Sequence, residues 1–305
     1  MYQTIFSQSG FSMERLGNFC AVADTGSIVG AAKGDPVRQS LISRQIRELE
    51  SFFGVELIRR RGRGLELTGA GHELAAVGRE NFKGLADYAA RCRGAAWTAR
   101  IVASNSVATW LVLPRLKTLE NSAGSVRFEI HHEQTREMVT ATREGIYDIA
   151  FVRKDALGSG LRHAVLGEIS HSLLVPKTLL RTEPKNVASV LGAAPMALPV
   201  GGKMREGVER MADKARVRMN VLVGCSSYLQ AAQVLQAGMC AAVLPDTALS
   251  ALKAAQFHRI PLTDRFTLCL AWSARNADTR PALAGLIQQM SERMVVSLSV
   301  TAQTR

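Results

Sequence analysis

Residues 39–53 read Gln39-Ser40-Leu41-Ile42-Ser43-Arg44-Gln45-Ile46-Arg47-Glu48-Leu49-Glu50-Ser51-Phe52-Phe53. With about 100° between successive residues of a helix, Ile42, Ile46, Leu49 and Phe53 fall within about 60° of one another. They form an apolar stripe that needs a core. Ser40, Ser43, Arg44 and Arg47 fall on the opposite side, within about 100°. A face of serines and arginines suits the major groove of DNA. Arginine bonds the guanine edge in two places, serine bonds a base or a phosphate, and the first turn of the helix offers N–H groups to phosphate. A solvated surface face has the same composition, so the stripe alone leaves both readings open.

The flanking segments narrow the choice. Upstream, residues 13–24 (MERLGNFCAVAD) place Leu16, Phe19, Cys20 and Ala23 on one helical face. Thr25-Gly26 stops that helix, Ser27 is a good N-cap for a second one over 28–33, and Gly34-Asp35-Pro36 breaks it. Downstream, Gly54 ends the third helix. Strand candidates 55–60 and 65–67 then flank Arg61-Gly62-Arg63-Gly64, a hairpin with glycines at its turn. Arg59, Arg60, Arg61 and Arg63 make this hairpin a basic wing able to reach phosphates or a minor groove. Three short helices and a basic wing in this order form a winged helix-turn-helix.

Over about 60 residues the sequence resembles the LysR-type transcriptional regulators. The resemblance is carried by Phe19-x-Ala21-Val22-Ala23, Gly26-Ser27, Ala31-Ala32, Gln39-Ser40-x-x-Ser43-Arg44-Gln45-Ile46-x-x-Leu49-Glu50, Gly54-Val55-x-Leu57, Arg60, Leu67-Thr68 and Ala70-Gly71. It implies that Ser27, Gln39, Ser40, Ser43, Arg44, Arg47 and the wing arginines 59, 60, 61 and 63 contact duplex DNA. Two departures stand out. The family usually carries an apolar residue, commonly Leu, where this chain has Asp35, and a helix-favouring residue where it has Gly34. The end of the second helix is therefore expected to be looser.

Thr68 is an N-cap candidate for a long helix over 69–96, with Leu74, Val77, Phe82, Leu85, Ala89 and Cys92 along an imperfect apolar seam. Packing within one chain would produce such a seam. The resemblance implies instead a linker helix, 69–97, that pairs two subunits of a homodimer, and further a homotetramer. A dimer suits a pair of DNA half-sites.

Beyond residue 97 the texture changes. Strand candidates at 100–103, 126–130, 148–152, 172–175, 196–199, 221–225, 241–244 and 267–272 alternate with helical segments near 107–120, 136–144, 203–215 and 227–237, and a last helix candidate covers 279–300. That order indicates an α/β domain with a mainly parallel sheet. Arg100-Ile101-Val102-Ala103-Ser104, Leu113-Pro114-x-Leu116, Glu144-Gly145-x-x-Asp148-Ile149-Ala150-Phe151-Val152 and Gln236-Ala237-Gly238-Met239-x-Ala241-x-x-Leu244-Pro245 resemble the effector-binding domain of the same family. The expected architecture is an α/β multidomain chain: a tail over 1–12, a winged helix-turn-helix over 13–68, the linker helix, and a bilobed domain over 98–305 like a periplasmic solute-binding protein. Its lobes would be 98–169 with 270–305, and 170–269.

A ligand in such a fold lies between the lobes, against the carboxyl ends of strands and the starts of helices. Ser104-Asn105-Ser106, Thr135, Gly201-Gly202 and Ser226-Ser227 occupy such positions, with Arg153 and Lys203 as counter-charges. Each hydroxyl could equally be a plain helix cap.

The net charge of +12 points to an anionic partner. Its distribution is uneven: residues 98–305 carry a net +9 and residues 1–97 only +3, within which the segment 38–63 alone carries +4 against −1 for the rest. An anionic effector for the second half follows. No apolar run approaches the roughly 18 residues of a membrane span, and MYQTIFSQSGF does not read as a signal peptide. Five scattered cysteines without a CxxC fit reduced cytoplasmic thiols, with no metal site. No GxSxG, Walker A, HExxH or dinucleotide fingerprint is present. The expectation is a cytoplasmic, non-enzymatic transcription regulator without a cofactor. It binds DNA and a small effector of unknown identity, with RNA polymerase a further partner. An enzyme acting in the cleft and a pure solute-binding protein are the competing classes.

Overall fold

The structure is a computed structural model of the chain, describing residues 10–62, 64–120 and 125–296. Helix α1 (Met13–Thr25) starts where the Ser12 hydroxyl accepts the Arg15 N–H and stops at Gly26 in the left-handed conformation. Helix α2 (Ile28–Ala31) is capped by Ser27, whose hydroxyl accepts from the Gly30 N–H. Helix α3 (Pro36–Phe53) begins three residues earlier than the sequence suggested. Asp35 is the reason: its Oδ1 accepts the N–H of Val37 at 2.9 Å and of Arg38 at 3.3 Å, and Pro36, lacking an N–H, loses nothing at the first helical position. The departure at Asp35 therefore starts the third helix sooner, and the second helix ends at Ala31.

Phe19, Ile42, Ile46, Leu49 and Leu57 are fully buried in one cluster with Ala75. Truncating one such leucine costs about 2–5 kcal/mol. Phe53 was expected in this core but is 41% exposed, because the helix end overshoots the cluster; its ring packs edge-on against Phe52. Strands β1 (Ile58–Arg61) and β2 (Gly64–Leu67) pair antiparallel in the register Arg59 to Glu66 and Arg60 to Leu65. Residues 55–57 stay outside the ladder because the Glu50 carboxylate takes the N–H groups of Leu57 and Ile58, tying the wing to α3.

Helix α4 (Gly69–Cys92) opens at Thr68, which caps Gly71 N–H. A Cβ on Gly71 would sit 2.1 Å from the Leu57 carbonyl oxygen, so only glycine fits here. The helix stops four residues before the expected end, and Trp97 already belongs to β3 (Trp97–Ala103).

The second half is built on one eight-stranded sheet. After β3 come α5 (Asn105–Val107), a π-helical turn at Ala108–Val112, a 3₁₀ turn at Leu113–Arg115 and α6 (Leu116–Glu120). Pro114, with no N–H to donate, breaks what the sequence presented as one helix. Then follow β4 (Val126–His131), α7 (Thr135–Arg143), β5 (Ile149–Arg153), β6 (Leu161–Pro176), α8 (Val187–Ala193), β7 (Met196–Pro199), α9 (Lys203–Lys214), β8 (Val221–Cys225), α10 (Tyr228–Gln236), β9 (Ala241–Pro245), β10 (Phe257–Ser273), α11 (Ala274–Thr279) and α12 (Pro281–Arg293). The strand order is β4-β3-β5-β10-β6-β9-β7-β8. Parallel neighbours flank each end, while β6 and β10 run antiparallel through the middle and join the two lobes. Only their apolar halves were visible in the sequence. Their polar halves and the register shifts between Pro261 and Arg265 and between Leu268 and Cys269 hid the rest. At the crossing, Asp246 accepts hydrogen bonds from Ser170 and Ser172 of β6 and from Arg259 of β10. No described helix is long and apolar enough to cross a membrane.

Candidate nucleic-acid interface and effector cleft

Helix α3 is held by polar contacts on its flanks. Gln45, only 6% exposed, accepts from Asn18 at 2.6 Å and donates to Glu14 at 3.1 Å, and Arg15 pairs with Glu48 at 2.6 Å. These contacts fix α3 against α1, leaving its other side to solvent. Ser40, Arg44 and Arg47 are exposed there, and Ser43 is half-buried. Arg44, 69% exposed, is loosely paired with Glu48 at 3.7 Å. Arg47 donates to the Ser43 carbonyl and hydroxyl, and Ser40 donates to the Pro36 carbonyl. Gln39 is half-buried and does not line the shallow depression along this face, whereas Val37 and Leu41, absent from the sequence-based set, do. Starting the helix at Gln39 omits Val37, and seeking only polar residues on this face omits Leu41.

On the wing, Glu66 pairs with both Arg61 at 2.9 Å and Arg59 at 3.5 Å, leaving that trio with a net +1. Arg60 projects on the alternate face and remains exposed. Arg63 lies outside the described residues. Ser27 is engaged as a helix cap and lies at the start of α2.

Between the lobes lies a cavity of about 700 Å³. Ser104, Ser106, Thr135 and Arg153 line it from one lobe, and Gly201, Gly202, Lys203, Ser226 and Ser227 from the other. Asn105 is not among its lining residues. Ser227 caps α10 through the Gln230 N–H. Ser104, by contrast, makes no cap bond, and α7 and α9 have no side-chain cap either. The first-turn N–H groups of a helix have no partner within the helix itself. The two counter-charges are already occupied. Arg153 grips Asp155 with two hydrogen bonds, 2.9 and 2.7 Å, and Lys203 approaches the same carboxylate at 3.7 Å. The Arg153 hydrogen bonds hold the Asp155 carboxyl below the usual range.

The floor of the cavity was not legible in the sequence. His171, 3% exposed, lies within hydrogen-bonding distance of the Tyr228 hydroxyl through Nε2, at 3.3 Å. Its ring centroid is 5.8 Å from Tyr228 and 5.7 Å from Phe266. Burial keeps His171 below its usual range, against the pull of Asp264 and Asp246, and burial pushes Tyr228 up to about 12. Cys225 and Cys240 are buried in the core of the second lobe, where burial raises both thiols and works against thiolate chemistry.

A third cluster joins α4 to the first lobe. Lys83 donates to Asp148 at 2.7 Å, Arg280 reaches Asp148 and Asp87 at 2.6 Å each, and Ser273 donates to Glu80 at 2.6 Å. Arg79 bonds Asp24 of α1 and the Glu144 carbonyl. Asp148 stands just before β5 and Ser273 ends β10, the strands whose Arg153, Phe266 and Leu268 line the cavity.

Comparison with known proteins agrees with this architecture. Residues 13–72 match the bacterial regulatory helix-turn-helix model of the lysR family, and residues 93–295 match the LysR substrate binding domain. The uncharacterized HTH-type transcriptional regulator YnfL of Escherichia coli (strain K12) is 30% identical over 159 residues, covering 50% of this chain and 54% of that protein. The chain thus spans about half the length of the first relatives it matches. Among solved structures, a full-length OxyR variant from Pseudomonas aeruginosa superposes with a TM-score of 0.64 at 18% identity, covering 95% of this chain and 99% of that one. Full-length CbnR in complex with its target DNA gives 0.51 at 21%, covering 93% and 100%. With both domain models matched in order along one chain, the protein belongs to the LysR family of bacterial regulators.

Proposed function

We propose that the protein is a sequence-specific DNA-binding transcription regulator whose cleft binds a small anionic effector. The observation that carries this reading is the connection of three parts. An exposed serine-arginine face on α3 and a two-lobed cavity are joined by a single helix, α4, and its buried charges engage the strands that line the cavity. An effector that binds one lobe arrangement better than another would shift the population of that arrangement. The shift would pass through β5 and β10 to α4 and the DNA-binding domain, altering DNA bending and polymerase access.

Arg44 and Ser40 are the base-reading candidates, and Arg47, Arg60 and the helix starts hold phosphates. In the cleft, the hydroxyls of Ser104, Ser106 and Thr135 and the uncapped start of α7 suit a carboxylate, which would compete with Asp155 for Arg153 and Lys203. The expected seam on α4 is only partly covered in one chain: Leu74 packs against the helix-turn-helix core, while Leu85 is 57% exposed and Cys92 is exposed. That supports a homodimer paired through α4, with tetramer assembly following from the family. A cytoplasmic, non-enzymatic role completes the reading.

The test is binding of the full chain to DNA fragments at fixed salt, with and without candidate small acids. A regulator shows sequence preference that changes with a cleft ligand. Turnover of a cleft ligand without DNA preference would favour an enzyme.

A further inference from the structure

Val37 is 79% exposed, more than any other large apolar side chain among the described residues. A lone exposed apolar side chain is ordinary. Val37 is not alone: Leu41, one turn on, is its helical neighbour, and both line the shallow depression that Ser40, Arg44, Arg47 and Glu48 share. These six residues fall within about 120° of arc on α3, opposite Ile42, Ile46 and Leu49. The apolar end exists because Asp35 and Pro36 start the helix one turn early. At that point the domain core lies on the other side of the helix, so Val37 projects into solvent.

The partner of this face is polyanionic DNA, as the arginines on α3 and the wing require. Its major groove offers one apolar feature, the 5-methyl group of thymine. We propose that Val37 and Leu41 select thymine through this methyl group, beside the base read by Arg44. The proposal rests on α3 being the reading helix. Seven residues at about 1.5 Å each separate Val37 from Arg44 along the helix, roughly three base steps of 3.4 Å. The selected thymine and the base under Arg44 lie about that far apart.

The experiment first selects preferred duplexes from a random pool with the full-length protein. It then replaces each thymine singly by uracil, which removes only the methyl and leaves pairing intact. Transferring one methyl out of water corresponds to roughly a fourfold affinity change. The expected result is at least one thymine where uracil weakens wild-type binding by about that factor, with the doubly substituted Val37→Ser, Leu41→Ser protein binding both duplexes alike. That protein should keep wild-type melting temperature and non-specific DNA affinity. Three results overturn the proposal: uracil tolerated at every thymine, no thymine in the selected sites, or equal methyl dependence in the double variant. Arg44→Ala separates the two levels. If it leaves the selected preference intact, or if no preference exists, α3 is not the reading helix. If it abolishes the preference while uracil has no effect, only the thymine assignment fails.

Discussion

Arg280 donates from Nη1 to Oδ1 of Asp148 at 2.6 Å, and the two side chains are 1% and 0% exposed. The same guanidinium reaches Asp87 on α4 through Nε. Two carboxylates from different domains thus share one buried cation. Burial opposes the charge on Asp148, but Lys83 and Arg280 outweigh it and hold the carboxyl below the usual aspartate range. Replacing Arg280 by Ala leaves Asp87 without its cation and Asp148 with Lys83 alone. A loss of about 3–5 kcal/mol of stability is expected, read from denaturant midpoints.

The joint also sets opposite pH signs at two carboxylates. Burial raises Glu80 above the usual glutamate range, with Ser273, Arg275, Lys83 and Arg280 pulling it back. Folding then favours its protonated form. That contribution is complete below the ordinary glutamate range and is lost as pH rises through the raised folded value. Asp148, depressed, contributes above the ordinary aspartate range and loses it as pH falls through its folded value. Urea midpoints across pH should show Glu80→Gln flattening the first trend and Asp148→Asn the second. Unchanged pH profiles in both variants would remove the ionic role assigned to the joint.

Base contacts and phosphate contacts respond differently to mutation. Arg44→Ala should cost about 1–3 kcal/mol at the preferred site and little on bulk DNA. Arg60→Gln should weaken all sequences alike and reduce the magnitude of the salt slope by about 1. Fluorescence anisotropy titrations at several salt concentrations measure both.

In the cleft, Thr135→Val removes a hydroxyl beside the uncapped start of α7. A small acid that raises the melting temperature of the wild type should do so less in this variant, by the worth of one hydrogen bond, about 0.5–1.5 kcal/mol. At 100 times its dissociation constant such a ligand adds about 2.7 kcal/mol to the wild type. An equal shift in both proteins would place the acid elsewhere.

The parts of this fold legible in the sequence are those specified by local pattern. The helical period exposed the Ile42, Ile46, Leu49 core, and Gly-rich turns exposed the wing. Nine of the ten residues expected in the cleft line it, because strand ends and helix starts are marked by Ser, Thr and Gly. What stayed hidden depends on distant partners. Arg280 and Asp148 are 132 residues apart, and Ser273 and Glu80 are 193 apart, so no spacing announces them. His171 sits one residue before the visible apolar run of β6, and its partners Tyr228 and Phe266 lie on other elements. Asp35 was misread for a different reason: a break between helices and a cap of the next helix use the same residues.

Competitive binding of the full chain to genomic duplex fragments at one salt concentration, beside Arg44→Ala, tests the central claim most directly. The expected result is a subset of fragments bound at least ~10³-fold tighter than bulk DNA, with that ratio collapsing in the variant. Uniform binding of all fragments by the wild type, or a ratio unchanged by Arg44→Ala, would contradict it.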